Sequence, residues 1–184
     1  MFFGLGVLAL VIIFILGVVA IYNSLVRLRN RVKNAWSQID VQLKRRHDLI
    51  PNLVEVAKGY MAHERQTLEN VIKARTQAVQ ATSIKDKAQA ENFLTSTLRS
   101  LFAVVENYPN LKADSQMLSL QEELTNTENR ISFARQYYND EVTRFNTKLE
   151  TFPSNLIAGW FGFQKEELFE LEERAQKEPP QVKF

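Results

Sequence analysis

The residues best equipped for chemistry lie in RHDLIPNL, positions 46–53. Here His47 and Asp48 stand beside Arg46, shortly before Pro51. A histidine next to a carboxylate is raw material for a metal site or a general acid/base pair. A second stretch, His63-Glu64, opens like the zinc-protease pattern HExxH, which puts two histidines on one face of a helix. Neither stretch completes its chemistry. A metal needs several converging ligands. The chain holds only two histidines, and their spacing of 16 positions is about 24 Å along a straight helix, beyond the reach of one ion. The position of the second zinc-protease histidine is Thr67. No nucleophile elbow, phosphate loop or convergent carboxylate pair accompanies them. The absence of cysteine removes thiolate metal sites, disulfides and a cysteine nucleophile. No catalytic, cofactor or metal residue is therefore assigned, and the chain reads as non-enzymatic.

The same residues read better as a bend. Proline removes a backbone donor and frees the carbonyl four residues back, here that of His47. His47, Asp48 and Pro51 are then one feature of a long helix, with polar side chains helping to satisfy the break. An apolar stripe supports that helix. It runs at steps of three and four through Leu25, Leu28, Val32, Trp36, Ile39, Leu43, Ile50, Leu53, Ala57 and Tyr60, then Leu68, Val71 and Val79. The period predicts one helix to about residue 80.

At its start the stripe joins FFGLGVLALVIIFILGVVAIY, residues 2–22, which carry no charge. A helix of roughly 21 residues matches a hydrocarbon core of roughly 30 Å. A cleaved signal peptide is the rival, with Val18 and Ala20 small enough for a cleavage site. The absence of Lys or Arg before the run, and the length of the run, favour an uncleaved anchor. Positive charge follows it at Arg27, Arg29, Arg31 and Lys33, which read as membrane-surface residues. By the positive-inside rule they hold the body in the cytoplasm and the N-terminus outside.

Further on, TSIKDK at 82–87 reads as a polar turn. Phe93, Leu94, Leu98, Leu101, Phe102 and Val105 mark a second helix ending near Tyr108-Pro109. Residues 114–149 predict a third, N-capped by Asp114 or Ser115, with the stripe Met117, Leu120, Leu124, Ile131, Tyr138, Val142, Phe145 and Leu149. Proline and glycine break the pattern over 151–163, and a short acidic helix is expected at 165–175. The expected fold is all-α: a transmembrane helix continuing into an elongated antiparallel bundle of three long helices and a short C-terminal one. The expected divisions are an anchor at 1–23, a helical domain at 24–176 and a flexible tail, KEPPQVKF, at 177–184.

Charges interrupt the stripes at Arg46, Glu64 and Arg75 on the long helix, and at Glu128 and Arg135 on the third. A charge facing a core is costly unless paired. Together with Trp36 and Tyr138 these residues are expected at helix or subunit contacts. In GWFGF, 159–163, Trp160, Phe161 and Phe163 either cap the end of the bundle or form an exposed patch for a partner or a membrane surface. A net charge of +2, from 23 basic and 21 acidic residues, makes no case for nucleic acid.

Several long stretches resemble the LemA family: NAWSQIDVQLKRRHDLIPNLVEVAKGYMAHE at 34–64, ENYPNLKAD at 106–114, LQEELTNTENRISFARQYYND at 120–140 and FPSNLIAGWFGF at 152–163. The resemblance implies a single-span protein of the bacterial inner membrane with a cytosolic helical domain and no established catalytic residues. It points to a membrane zinc metalloprotease as a candidate partner. The expected function is a membrane-anchored scaffold that self-assembles as a homo-oligomer on the lipid bilayer and organises or remodels membrane or membrane proteins. The alternative is a monomeric adaptor for that protease or another envelope-stress partner.

Overall fold

The computed structural model describes residues 2–169. They form helices α1 (Phe2–Lys58), α2 (Arg65–Gln80), α3 (Ile84–Val105), α4 (Pro109–Lys112), α5 (Ser115–Glu150) and α6 (Ser154–Trp160). The fold is all-α, with no strand among the described residues. The chain divides into two compact units, to which α1 and α5 both contribute.

The first unit comprises, among the described residues, 2–38 and 134–168. Its apolar N-terminal run is bare: Phe3, Leu10, Ile13 and Phe14 are all exposed. By length and composition this part of α1 is able to cross a membrane. Burial begins at Leu25 and continues at Val32 and Ala35, and α5 buries Tyr138, Val142 and Phe145.

The second unit holds residues 39–133 and Phe169 among those described. Its core gathers Ile50, Leu53, Val54 and Ala57 from α1, Leu68, Val71, Ala74 and Ala78 from α2, Leu94, Leu98 and Leu101 from α3, and Met117 and Leu124 from α5. Each set repeats at three and four residues, so each helix turns one face inward.

Four features depart from the sequence expectation. First, the long helix does not reach residue 80. It stops at Lys58, and α2 starts at Arg65. The break falls at Gly59, a weak helix former. The amides of Tyr60 and Met61 both donate to the Ala57 carbonyl, at 3.1 and 2.9 Å. The turn is tied down from outside: the Tyr108 hydroxyl donates to Glu64 at 3.2 Å, and the Tyr60 hydroxyl to Asp114 at 3.1 Å. Tyr60 and Val79, two expected stripe positions, are exposed.

Second, TSIKDK is not a free turn. Ser83 is an N-cap whose hydroxyl accepts from the Asp86 amide at 3.0 Å, so α3 opens at Ile84. Third, part of 151–163 is helical. Gly159 lies inside α6, and Gly162 ends it in the left-handed region at φ +68°. The Phe163 amide donates to the Ala158 carbonyl at 3.0 Å, and the Gly162 amide to the Gly159 carbonyl at 3.3 Å. That is the Schellman pattern, which needs a residue without Cβ strain at this point.

Fourth, residues 163–169 are not helical. Side chains of α5 take up their backbone groups. The Asn146 amide donates to the Glu166 carbonyl at 2.9 Å and accepts from the Glu166 amide at 3.0 Å, and the Tyr138 hydroxyl donates to the Glu167 carbonyl at 2.8 Å. The rest of the expected acidic helix and the 177–184 tail lie outside the described residues. Asp114 caps α5, accepting from the amides of Gln116 and Met117, each at 2.9 Å.

Candidate functional site

The polar centre of the second unit is built around Arg46, which is 2% exposed. The α1 period places it on the inward face between Leu43 and Ile50, so its guanidinium must find partners inside. They come from two other helices. Glu91 of α3 and Glu128 of α5 pair with it, and the Thr95 hydroxyl, one turn on from Glu91, accepts from it at 3.0 Å. His47 places Nε2 2.7 Å from the other Glu91 oxygen. Glu91 thus takes Arg46 on one oxygen and His47 on the other, while itself buried. Burial pushes its carboxyl up. The His47 hydrogen bond and the charge of Arg46 outweigh that and hold it below its ordinary value of 4.5.

Pro51 contributes a second connection. The carbonyl it leaves without a helical donor is that of His47. Arg75 of α2 donates to this carbonyl through Nε at 2.7 Å. The gap in α1 is therefore filled by a cation from another helix, while the His47 ring turns to Glu91. Asp48 is exposed. All four long elements of the unit supply a polar group: Arg46 and His47 from α1, Arg75 from α2, Glu91 and Thr95 from α3, Glu128 from α5.

Chemically, this arrangement fixes register. A buried ion pair holds only when both partners are in place, so sliding a helix by one turn strands a charge. The pairing of His47 with Glu91 has the form of a base and its orienting carboxylate. Two open grooves occur elsewhere in the unit. One, of about 760 Å³, is lined by Val54, Lys58, Met61, Arg65, Leu68 and Ile72 among others, and the second by Asn52, Val56 and Ser119 among others. Among the described residues no three His, Asp or Glu side chains converge as a metal would require.

Glu91 and Thr95 are the members that the apolar stripes did not single out, and Glu91 is the charged one. A signal was present: Ala88, Glu91, Leu94, Leu98 and Leu101 form one buried row on α3. An acid in such a row requires a cation opposite, and Arg46, a cation in the apolar stripe of α1, requires an acid.

The other expected contact residues disperse. Trp36 meets Tyr138 edge to face at 5.3 Å in the first unit. Glu64 accepts from Tyr108, as described above. Arg135 is half-buried on α5. Of the juxtamembrane cations, Arg27, Arg31 and Lys33 are exposed, while Arg29 lies 5.2 Å over the Phe163 ring. Trp160 and Phe161 are exposed and Phe163 is half-buried.

Fold and site together define a helical protein with, among the described residues, one candidate membrane-crossing segment, and with a second unit registered by buried ion pairs. The chain belongs to the LemA family, whose sequence model matches residues 35–184. It is similar to Protein LemA of Metamycoplasma hominis, 29% identical over 137 residues. That match covers 74% of this chain and 63% of the relative, less than two thirds of its length. It is also similar to Magnetosome protein MamQ 2 of Paramagnetospirillum magneticum, at 25% identity over 88% of this chain and 72% of the relative. Magnetosome protein MamQ of Magnetospirillum gryphiswaldense matches at 23% over 90% and 70%.

Proposed function

We propose that this chain is a non-enzymatic scaffold of the bacterial inner membrane, anchored by the start of α1 with its helical body on the cytoplasmic side. In this role copies self-associate and organise or remodel the membrane or its proteins. The observation that carries the reading is the continuity of α1. One helix holds both the bare apolar run and the buried residues Leu25, Val32 and Ala35 of the first unit. A helix without a linker transmits orientation, because each residue is fixed by its neighbours' hydrogen bonds. The cations after the apolar run favour a cytoplasmic body. The kinship with proteins named for the magnetosome favours work on a membrane.

Self-association is tested by the mass of the intact protein in lipid nanodiscs. A discrete oligomer is expected, since closed symmetric contacts are the common form for such assemblies. A clean monomer across the concentration range overturns the scaffold.

A monomer would favour the adaptor. The groove between the end of α1 and α2 supports that second reading. Its floor is apolar, with Val54, Met61, Leu68 and Ile72, and Lys58, Arg65 and Lys73 stand around it with Glu69. An amphipathic acidic segment of a partner such as a membrane protease would suit it. Replacing Lys58, Arg65 and Lys73 by Glu would then abolish recovery of that partner. Undiminished recovery removes the groove from consideration.

A further inference from the structure

Helix α6 is apolar on both sides. Its inward residues, Ile157 and Ala158, form a cluster with Leu25 of α1, and Val18, Ile21, Tyr22, Leu149 and Phe163 pack around them. Phe161 stacks at a tilt on Tyr22, with ring centroids 4.7 Å apart. The outward side carries Leu156 and Trp160, four apart and 61% and 81% exposed, and Phe152, in the turn just before the helix, is 75% exposed. Asn155 is the only polar side chain exposed within the helix. A short surface helix with this composition is unsuited to water on its outer face.

Its place on α1 tells what covers that face. Val18, Ile21 and Tyr22 belong to the last two turns of the uncharged run, and Leu25 lies one turn beyond. If residues 2–22 fill a hydrocarbon core of roughly 30 Å, α6 stands beside its final 6 Å or so and the turn beyond, where the bilayer gives way to headgroups. Trp and Tyr concentrate at that depth, because a ring with one polar atom suits a boundary. The bare apolar surface of α1 reaches the level of α6, with Leu16 and Val19 exposed on either side of Val18, and Arg27, Arg31 and Lys33 lie exposed a turn or more further on, at the level of anionic headgroups.

We infer that α6 is a second membrane contact: Phe152, Leu156 and Trp160 enter the interfacial layer of the leaflet that α1 leaves, beside the anchor. A protein covering the same face would itself have to lie in the membrane. Two contacts do what one helix does not. They fix the depth and the rotation of α1 about its own axis, and so orient the first unit against the bilayer. Gly162 serves this by turning the chain so that Phe163 returns to Tyr22 and Phe145, with centroids 5.9 and 6.4 Å away, instead of prolonging the helix outward.

The inference rests on the anchored reading of α1, and the test separates the two. Full-length protein carrying Trp36→Phe has Trp160 as its sole tryptophan. It is placed in nanodiscs of phosphatidylcholine and phosphatidylglycerol brominated either near the headgroup end of the chains or near their middle. Trp160 emission is expected at short wavelength and quenched more by the shallow bromines. A reporter for the anchor, Phe14→Trp with both native tryptophans changed to Phe, is expected to be quenched more by the deep bromines. Should Trp36→Phe disturb folding, the difference in quenching between the unaltered protein and Trp160→Phe isolates Trp160 with Trp36 in place. A quenched Phe14→Trp beside an unquenched, long-wavelength Trp160 overturns the second contact and leaves the anchor. Short-wavelength Trp160 emission without quenching overturns it in favour of a second copy or a protein partner. No quenching at either position overturns the anchor and the second contact together.

Discussion

The two units hold their helices in different ways. The second unit buries charge: Arg46 is enclosed with Glu91 and reaches Glu128, and Arg75 closes the gap left by Pro51. The first unit mainly buries rings: Trp36 meets Tyr138, and Phe163 meets Tyr22 and Phe145, while its one buried charge among the described residues, Glu141, pairs with Arg144 at the surface. Its polar bonds are mostly from side chains to backbone, through Asn146 and Tyr138. Aromatic contacts tolerate a range of offsets and tilts, each adding about 0.5–1.5 kcal/mol beyond burial. A buried ion pair tolerates little, because desolvation costs several kcal/mol per ion and only good geometry offsets it. The charged unit should therefore be strict in its register, and the aromatic unit adaptable where it meets lipid.

The largest expected effect tests that strictness. Arg46→Met leaves Glu91 buried with only His47 and should destabilise the protein by about 3–5 kcal/mol. Adding Glu91→Leu removes the stranded charge and should restore much of the loss. Urea unfolding followed by far-UV circular dichroism measures both. If the single and double variants unfold alike, the buried charges do not act as a pair. Hydrogen exchange should show the new exposure confined to peptides of the second unit.

Next come opposite responses to pH. Glu91 is held below its ordinary 4.5 in the folded protein, so its contribution is complete above that value and is lost as pH falls through the depressed one. Glu91→Gln should remove this acid limb. Tyr138 is pushed up from 10.0 to about 12, by burial first and then by the charges of Glu166 and Glu167. Its contribution is complete below pH 10 and is lost as pH rises from there through 12. Tyr138→Phe should remove that alkaline limb. The contrast between units fails if one variant flattens both limbs in melting curves across pH.

A smaller effect concerns the proline gap. Arg75→Ala leaves the His47 carbonyl without a donor and should cost about 1–3 kcal/mol. Pro51→Ala supplies a new amide donor to that carbonyl, so it should reduce the cost of Arg75→Ala. A double-mutant cycle with additive losses would show that Arg75 acts elsewhere. Smallest is Gly162→Ala in the first unit. A Cβ at φ +68° costs about 1–2 kcal/mol. The melting temperature should fall slightly, and Phe163 should loosen from Tyr22.

Much of this was legible from spacing alone. The stripe through Leu25, Val32, Ile39, Leu43, Ile50, Leu53 and Ala57 is buried throughout. The third helix was expected over 114–149 and is α5, Ser115–Glu150, capped by Asp114. Periodicity succeeds there because burial on a helix is a local, repeating geometry. It failed at Gly59, since the residues that secure the turn, Tyr108 and Asp114, are distant in sequence. It failed again at 163–169, where an acidic stretch looks helical until Asn146 and Tyr138 take its backbone groups.

The sequence by itself determined the helices, the uncharged run and the face each helix turns inward, because these follow from neighbours within a few residues. It also marked Arg46 as a charge in need of partners, and the His47 carbonyl as one that Pro51 would strand. Only the tertiary structure decided who answers them. Glu91 lies 45 residues from Arg46, Glu128 lies 82 away, and Arg75 lies 28 from His47. No local rule reaches that far. Likewise, residue types alone left GWFGF open between core and surface. Its docking beside Tyr22 and Leu25 settled which rings turn inward and which stay bare.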